Sequence, residues 1–217
     1  ALAAVCGLVT GGLMFFLAGT LASIMNLPEM AHRFCVAYLQ IMAVAAAPSA
    51  VLFVGAACLR AAGDTRTPFF VMVVVNITNV VLSVLFVYGP APIGGHQVNG
   101  IAFGTLGAWV LGCTIIIVVL LSPRAALRLH LRRLTLHRVT LTRIVRVGMP
   151  SLFETLGGTW LATFIVLIIV GMLQDRVGGA GLIGAHMIAI RIESFSFLPG
   201  IALGIAAATL CGQYLGL

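Results

Sequence analysis

Long charge-free apolar stretches alternate along the chain with short clusters of Arg, Gly, Pro and polar residues. Each stretch meets the roughly 20 residues that a helix needs to cross a bilayer. Six such spans are predicted. The first runs from Ala1 to about Met25 and stops at Asn26-Leu-Pro28-Glu29, and the second runs from Phe34 to Leu59 and stops at Arg60. No charged residue occurs from Thr67 to Pro123, a segment too long for one helix and suited to two, about 69–88 and 100–122, separated by the turn-rich Gly89 to Gly95. A fifth covers about 148–172, before Gln174-Asp175-Arg176, and a sixth begins near Leu182 and reaches the chain end. The expected fold class is all-α and polytopic. The first span has no basic leader and is too long for a signal peptide. Because the chain opens inside one apolar stretch and closes inside another, it reads as a piece of a longer membrane protein.

Composition agrees. Hydrophobic residues make up 61% and charged residues 8%, against roughly 45–50% and about 25% in soluble domains, which excludes a water-soluble enzyme. The net charge is +7, yet nucleic-acid binding is not indicated, because the basic residues crowd into one connector instead of spreading over a folded face. Arg60 and Arg66 lie between spans two and three, and Arg124, Arg128, Arg132, Arg133, Arg138, Arg143 and Arg146 between four and five. Only Arg33 and Arg176 fall in connectors on the opposite side, so loops 60–68 and 123–147 are expected in the cytoplasm. Within the connector, Leu141, Ile144, Val145 and Met149 follow helical spacing while Arg143 and Arg146 face away, as in an amphipathic helix along anionic headgroups. Cys6, Cys35, Cys58, Cys113 and Cys211 are odd in number and lack C-x-x-C spacing, so they read as small apolar residues and not as a disulfide or zinc framework.

Helices in lipid are held by close backbone approach and interhelical hydrogen bonds. G-x-x-x-G at Gly7/Gly11, Gly100/Gly104 and Gly200/Gly204 supplies the first, and Pro48 and Pro199 inside spans two and six predict kinks. Polar residues at membrane depth are costly, and so are candidates for function. Asn76, Asn79 and Ser83 form a stripe on span three that suits either helix–helix hydrogen bonds or a path for a small cation bound by amide and hydroxyl oxygens. Glu154 stands one turn after Pro150, near the cytoplasmic end of span five, as an interfacial group or a proton carrier. His186 and Glu193 share a face of span six, with Arg191 turned about 200° away from Glu193, serving as interfacial anchors or as the lining of a polar pocket. No hydrolytic constellation, metal motif or nucleotide loop is present, and a P-loop is impossible without Lys.

Three segments resemble the multidrug and toxic compound extrusion (MATE) transporters, in particular their prokaryotic damage-inducible-type branch. Leu59-Arg60-Ala-Ala-Gly63-Asp64-Thr65-Arg66-Thr67-Pro68 is similar to the family's L-R-G-x-G-D-T-R-x-P turn after the fourth helix. Gly148-Met-Pro150-Ser151 to Glu154 resembles the start of the seventh, and Ala185-His186 through Arg191-Ile-Glu193-Ser194 to Pro199-Gly200 resembles the eighth. The resemblance implies helices three to eight of twelve. Residues 1–122 would then be the remainder of the N-terminal lobe, 123–147 the cytoplasmic connector and 148–217 the start of the C-terminal lobe. It further implies efflux of small, often cationic, organic compounds by H⁺ or Na⁺ antiport, with no cofactor beyond the ion and with the missing helices and the bilayer as partners. The family's Asn on the fifth helix matches Asn79, but Ser83 stands at the Asp position and Ala108 at the apparent Thr position, which favours protons over Na⁺. Two other functions are weighed against it. A lipid-linked precursor flippase would want several cavity-facing basic residues, of which only Arg191 qualifies, and an integral-membrane enzyme would want clustered His or acids, which are scattered here.

Overall fold

A computed structural model describes residues 2–24, 29–90, 94–95, 97–122, 138–177 and 181–215. Most of the predicted arginine-rich connector, residues 123–137 with Arg124, Arg128, Arg132 and Arg133, lies outside them. Seven α-helices are described: α1 (Leu2–Ile24), α2 (Glu29–Ala61), α3 (Arg66–Tyr88), α4 (Gln97–Leu121), α5 (Arg138–Glu154), α6 (Ala162–Val177) and α7 (Leu182–Leu215). A π-helical stretch, Thr155–Leu161, joins α5 to α6 without a break. Six stretches are long and apolar enough to cross a membrane: Leu2–Ser23, Glu29–Ala61, Arg66–Tyr88, Gln97–Leu121, Leu141–Val170 and Leu182–Tyr214. These match the six predicted spans. Two begin earlier than hydropathy indicates. In α2, Glu29 favours the helix N-terminus and pairs with Arg33 one turn later at 2.9 Å. In α5, helical spacing of Leu141, Ile144 and Val145 carries the helix back to Arg138. Helix continues through Pro48, Pro150 and Pro199.

The residues fall into two compact units, 1–132 and 133–216. In the first, α1 packs on α2, α3 on α4, and α2 on α4. Small residues make this possible. A Cβ on Gly7 would sit 2.7 Å from Ala47 Cα, and one on Gly100 would sit 2.9 Å from the Phe86 carbonyl carbon, so both backbones rest on the neighbouring helix. Where the three helices meet, Leu52, Ala56 and Leu59 of α2 bury against Val71 and Val75 of α3 and Ala108, Ile116 and Leu120 of α4. Gly112 leaves room for Leu52, whose Cδ2 would be 3.0 Å from an added Cβ. Outward-facing apolar side chains such as Phe16, Phe70 and Val80 remain exposed, as lipid-facing positions require. The second unit contains α5, the π stretch, α6 and α7, with α6 packed on α7. Its Gly200 and Gly204, predicted to pack, have open space where a side chain would be.

The turn between α2 and α3 explains the motif at 59–68. Asp64 N–H donates to the Leu59 carbonyl and Gly63 N–H to the Arg60 carbonyl, both at 3.0 Å, with Gly63 at φ +90°. This is a Schellman ending, and it needs a residue without Cβ at Gly63. Asp64, two residues before α3, accepts the Thr67 amide on Oδ1 at 3.0 Å, and Pro68 occupies the first turn of α3, where a missing N–H costs nothing. The Thr67 hydroxyl, followed by the amides of Thr67 and Arg66, holds the Asp64 carboxyl below its ordinary value, outweighing a small opposing effect of burial.

A carboxylate with a depressed folded-state pKa stabilises the fold above its ordinary value of about 3.9 and loses that contribution as pH falls through the folded pKa. The full-length protein is therefore expected to melt higher than its Asp64→Asn variant at neutral pH, with the gap closing in acid. A gap that stays constant across the titration would contradict the assignment. Gly63→Ala should cost about 1 kcal/mol at any pH, because its penalty is steric.

Candidate cation and substrate path

The polar stripe of α3 meets α4 at one point. Asn79 Nδ2 donates to Thr105 Oγ1 at 2.9 Å, and Thr105 donates in turn to the Ile101 carbonyl at 2.9 Å. One turn along α3, Ser83 packs against the bare Gly104 backbone, where an added Cβ would lie 2.9 Å from Ser83 Cα, and its hydroxyl oxygen is buried without a hydrogen-bond partner among the described residues. Counting 1.5 Å per residue from Arg66, Asn79 lies about 20 Å along α3, well inside a hydrocarbon core of roughly 30 Å. The three side chains offer neutral oxygens and no formal charge. Asn76 does not join them, since its amide donates to the Met72 carbonyl on its own helix at 2.8 Å. Thr105 carried no signal in the stripe analysis because it sits on another helix. Its place beside Gly104, on the G-x-x-x-G face that α3 packs against, could have indicated it. Ala108, the position matched to the family's Thr, is fully buried in the three-helix core.

In the second unit, α6 and α7 enclose a groove of about 360 Å³. His186, Glu193 and Ser194 of α7 line it with Thr163 of α6, between the apolar walls of Val166, Ile190 and Phe197. The seven-residue spacing of His186 and Glu193 thus places both in one groove. His186 Nε2 is buried with no hydrogen-bond partner among the described residues, and Ser194 donates to the Ile190 carbonyl at 2.7 Å. Arg191 is exposed and absent from the groove lining, as its angular position required. Glu154 is exposed at the last residue of α5 and lies outside the groove. Next to it, the π stretch opens an apolar hollow of about 490 Å³ between Phe153, Trp160 and Phe164 over Gly157, a feature that hydropathy did not reveal. Among the described residues, no group of three His, Cys, Asp or Glu could hold a metal ion.

Comparison with known proteins places this geometry. The sequence profile of the MatE family matches residues 1–85. A crystal structure titled "MATE in the bent conformation" superposes on 98% of the chain with a TM-score of 0.75 at 25% identity. The chain is similar to MATE proteins in fold and, over those first 85 residues, in sequence. Among curated relatives, the probable multidrug resistance protein NorM of Thermotoga maritima is 29% identical over 83% of the chain, and the uncharacterized transporter YisQ of Bacillus subtilis is 25% identical over 96%. An FAD transporter of Shewanella oneidensis is 25% identical over 72%. The chain spans 37% and 45% of the first two relatives and 46% of the crystallised chain, less than half of each. It is accordingly a multi-pass membrane protein with the fold of a MATE structure. The names of these relatives range from multidrug resistance to FAD transport, so the likeness alone leaves the cargo open.

Proposed function

We propose that the chain contributes part of the transport path of a secondary active exporter, in which inward movement of H⁺ or Na⁺ drives outward movement of small, often cationic, organic compounds as two lobes alternate in access. The observation that carries this reading is the hydrogen bond from Asn79 to Thr105 at membrane depth, with the unpartnered Ser83 hydroxyl one turn away. Amide and hydroxyl oxygens suit a small hard cation or a relayed proton. A neutral set lacks the carboxylate that would offset Na⁺ dehydration, which favours protons. The groove carrying His186 and Glu193 supplies titratable groups in the second unit. A lipid-linked precursor flippase is less well supported, because Arg191, the basic residue expected to face a cavity, does not line that groove.

The test is dye efflux from proteoliposomes containing the full-length transporter, driven separately by a pH gradient and by a Na⁺ gradient. Asn79→Ala should lower ion-driven efflux by on the order of tenfold, whereas Asn76→Ala, whose amide bonds only its own helix, should leave it within about twofold. Equal losses in the two variants, or efflux indifferent to both gradients, would remove α3 from the coupling path.

A further inference from the structure

The start of α5 carries a feature that antiport does not use. Arg138, Thr142, Arg143 and Arg146 together line a shallow groove of about 330 Å³. Positions 138, 142 and 146 recur every four residues along one face, and Arg143 flanks them. The Thr142 hydroxyl donates to the Arg138 carbonyl at 2.9 Å, which leaves the three guanidinium groups as the donors facing the groove. None of the three forms an ion pair among the described residues, and no Asp or Glu occurs between Pro123 and Phe153. Such a cluster repels itself unless an anion is near.

Position along the helix identifies the anion. Because α5 continues through the π stretch into α6, it belongs to the same rod as the candidate span Leu141–Val170, whose last arginine is Arg146 and whose arginine-free part begins at Val147, next to Gly148. At 1.5 Å per residue, Arg146 and Arg143 lie about 3 and 8 Å before Gly148, and Arg138 about 15 Å before it. The headgroup layer is about 5–7 Å thick on each side of the hydrocarbon. Arg143 and Arg146 therefore stand at the level of the lipid phosphates, and Arg138 can reach down from their aqueous edge, because long basic side chains extend toward the interface. On the flank of the same turns, Leu141, Ile144 and Val145 give an acyl chain an apolar surface. We propose that this groove binds the phosphate of an anionic phospholipid in the inner leaflet, gripping it between Arg143 and Arg146 with Arg138 above. In this arrangement α5 enters the bilayer upright and holds a lipid at its base. A free phosphate ion would meet the same three donors but would gain nothing from the adjoining apolar stripe. The proposal is independent of which ion drives transport.

The full-length transporter can be reconstituted in nanodiscs of phosphatidylcholine containing a minority of phosphatidylglycerol, then transferred to detergent and analysed by native mass spectrometry for retained lipid. Wild type should retain phosphatidylglycerol in preference to phosphatidylcholine. R143Q/R146Q should lose that preference roughly thirtyfold, about fivefold for each guanidinium. R143K/R146K should keep most of it, and R60Q/R66Q, in the other arginine-bearing turn, should keep it in full. An unchanged preference in R143Q/R146Q, an equal loss in R60Q/R66Q, or release of the lipid by millimolar inorganic phosphate would overturn the proposal. If R143Q/R146Q does not fold, photoactivatable phosphatidylglycerol cross-linked to wild type decides the matter. Label within residues 138–149 supports the site, and label confined to other segments overturns it.

Discussion

Gly104→Leu in the full-length protein is expected to eliminate most of the folded transporter, while Leu52→Ala, at the centre of the three-helix core, leaves it folded. In a water-soluble protein the order would be reversed. Burying a Leu there gains transfer free energy from water, and truncation costs about 2–5 kcal/mol. Here the alternative environment for Leu52 is lipid tail, so the transfer contribution nearly vanishes and about 1–2 kcal/mol of lost packing remains. Gly104 has no such latitude. Its Cα rests on α3, and an added Cβ would lie 2.7 Å from Ser83 N and 2.9 Å from Ser83 Cα, backbone atoms that cannot rotate away. The helices would have to separate, which also parts Asn79 from Thr105. Overpacking of this kind costs about 3 kcal/mol or more. Melting curves of the detergent-solubilised protein test the order, and a larger fall for Leu52→Ala than for Gly104→Leu would show that lipid is the wrong reference solvent.

A second large effect is expected at Glu193. Of the groups that face the groove, α6 contributes Thr163 and no charge, while α7 contributes His186 and Glu193, with Arg191 on the opposite face. Glu193→Gln should lower proton-driven dye efflux by on the order of tenfold and flatten its response to pH. Glu154→Gln, at an exposed position outside the groove, should leave the pH response intact. His186→Gln should change the response without abolishing transport, because it keeps a hydrogen-bonding side chain of similar length at the buried Nε2 position. A flat profile in wild type, or matching profiles in wild type and Glu193→Gln, would remove the groove from coupling.

The spans were legible because the bilayer imposes one length and one chemistry on every crossing, and both are written in windows of sequence without charge. The contacts of Gly7, Gly11, Gly100 and Gly104 were legible for a similar reason, since small residues every four positions make a flat stripe. At Gly200 and Gly204 the same spacing faces open space. Such a stripe shows that a helix can be approached closely, but it does not name the neighbour. Thr105 escaped notice because a hydrogen bond between helices depends on their relative rotation, which neither sequence reports alone. The continuity of α5 with the helix that follows was not legible, because its amphipathic spacing fits a helix lying along the interface as well as one entering it. The π stretch has no hydropathy signature, because an added residue per turn is a matter of backbone register. Its Gly157-Gly158 pair is the nearest cue.

The elbow at residues 62–65 has a mechanical consequence. The amides of residues 62–64 bond back to α2, Asp64 holds the Thr67 amide and Pro68 restricts the outgoing turn, so the corner between α2 and α3 is expected to be stiff. An epitope spliced into this corner is therefore expected to disturb the folded protein more than a tag on a slack loop would.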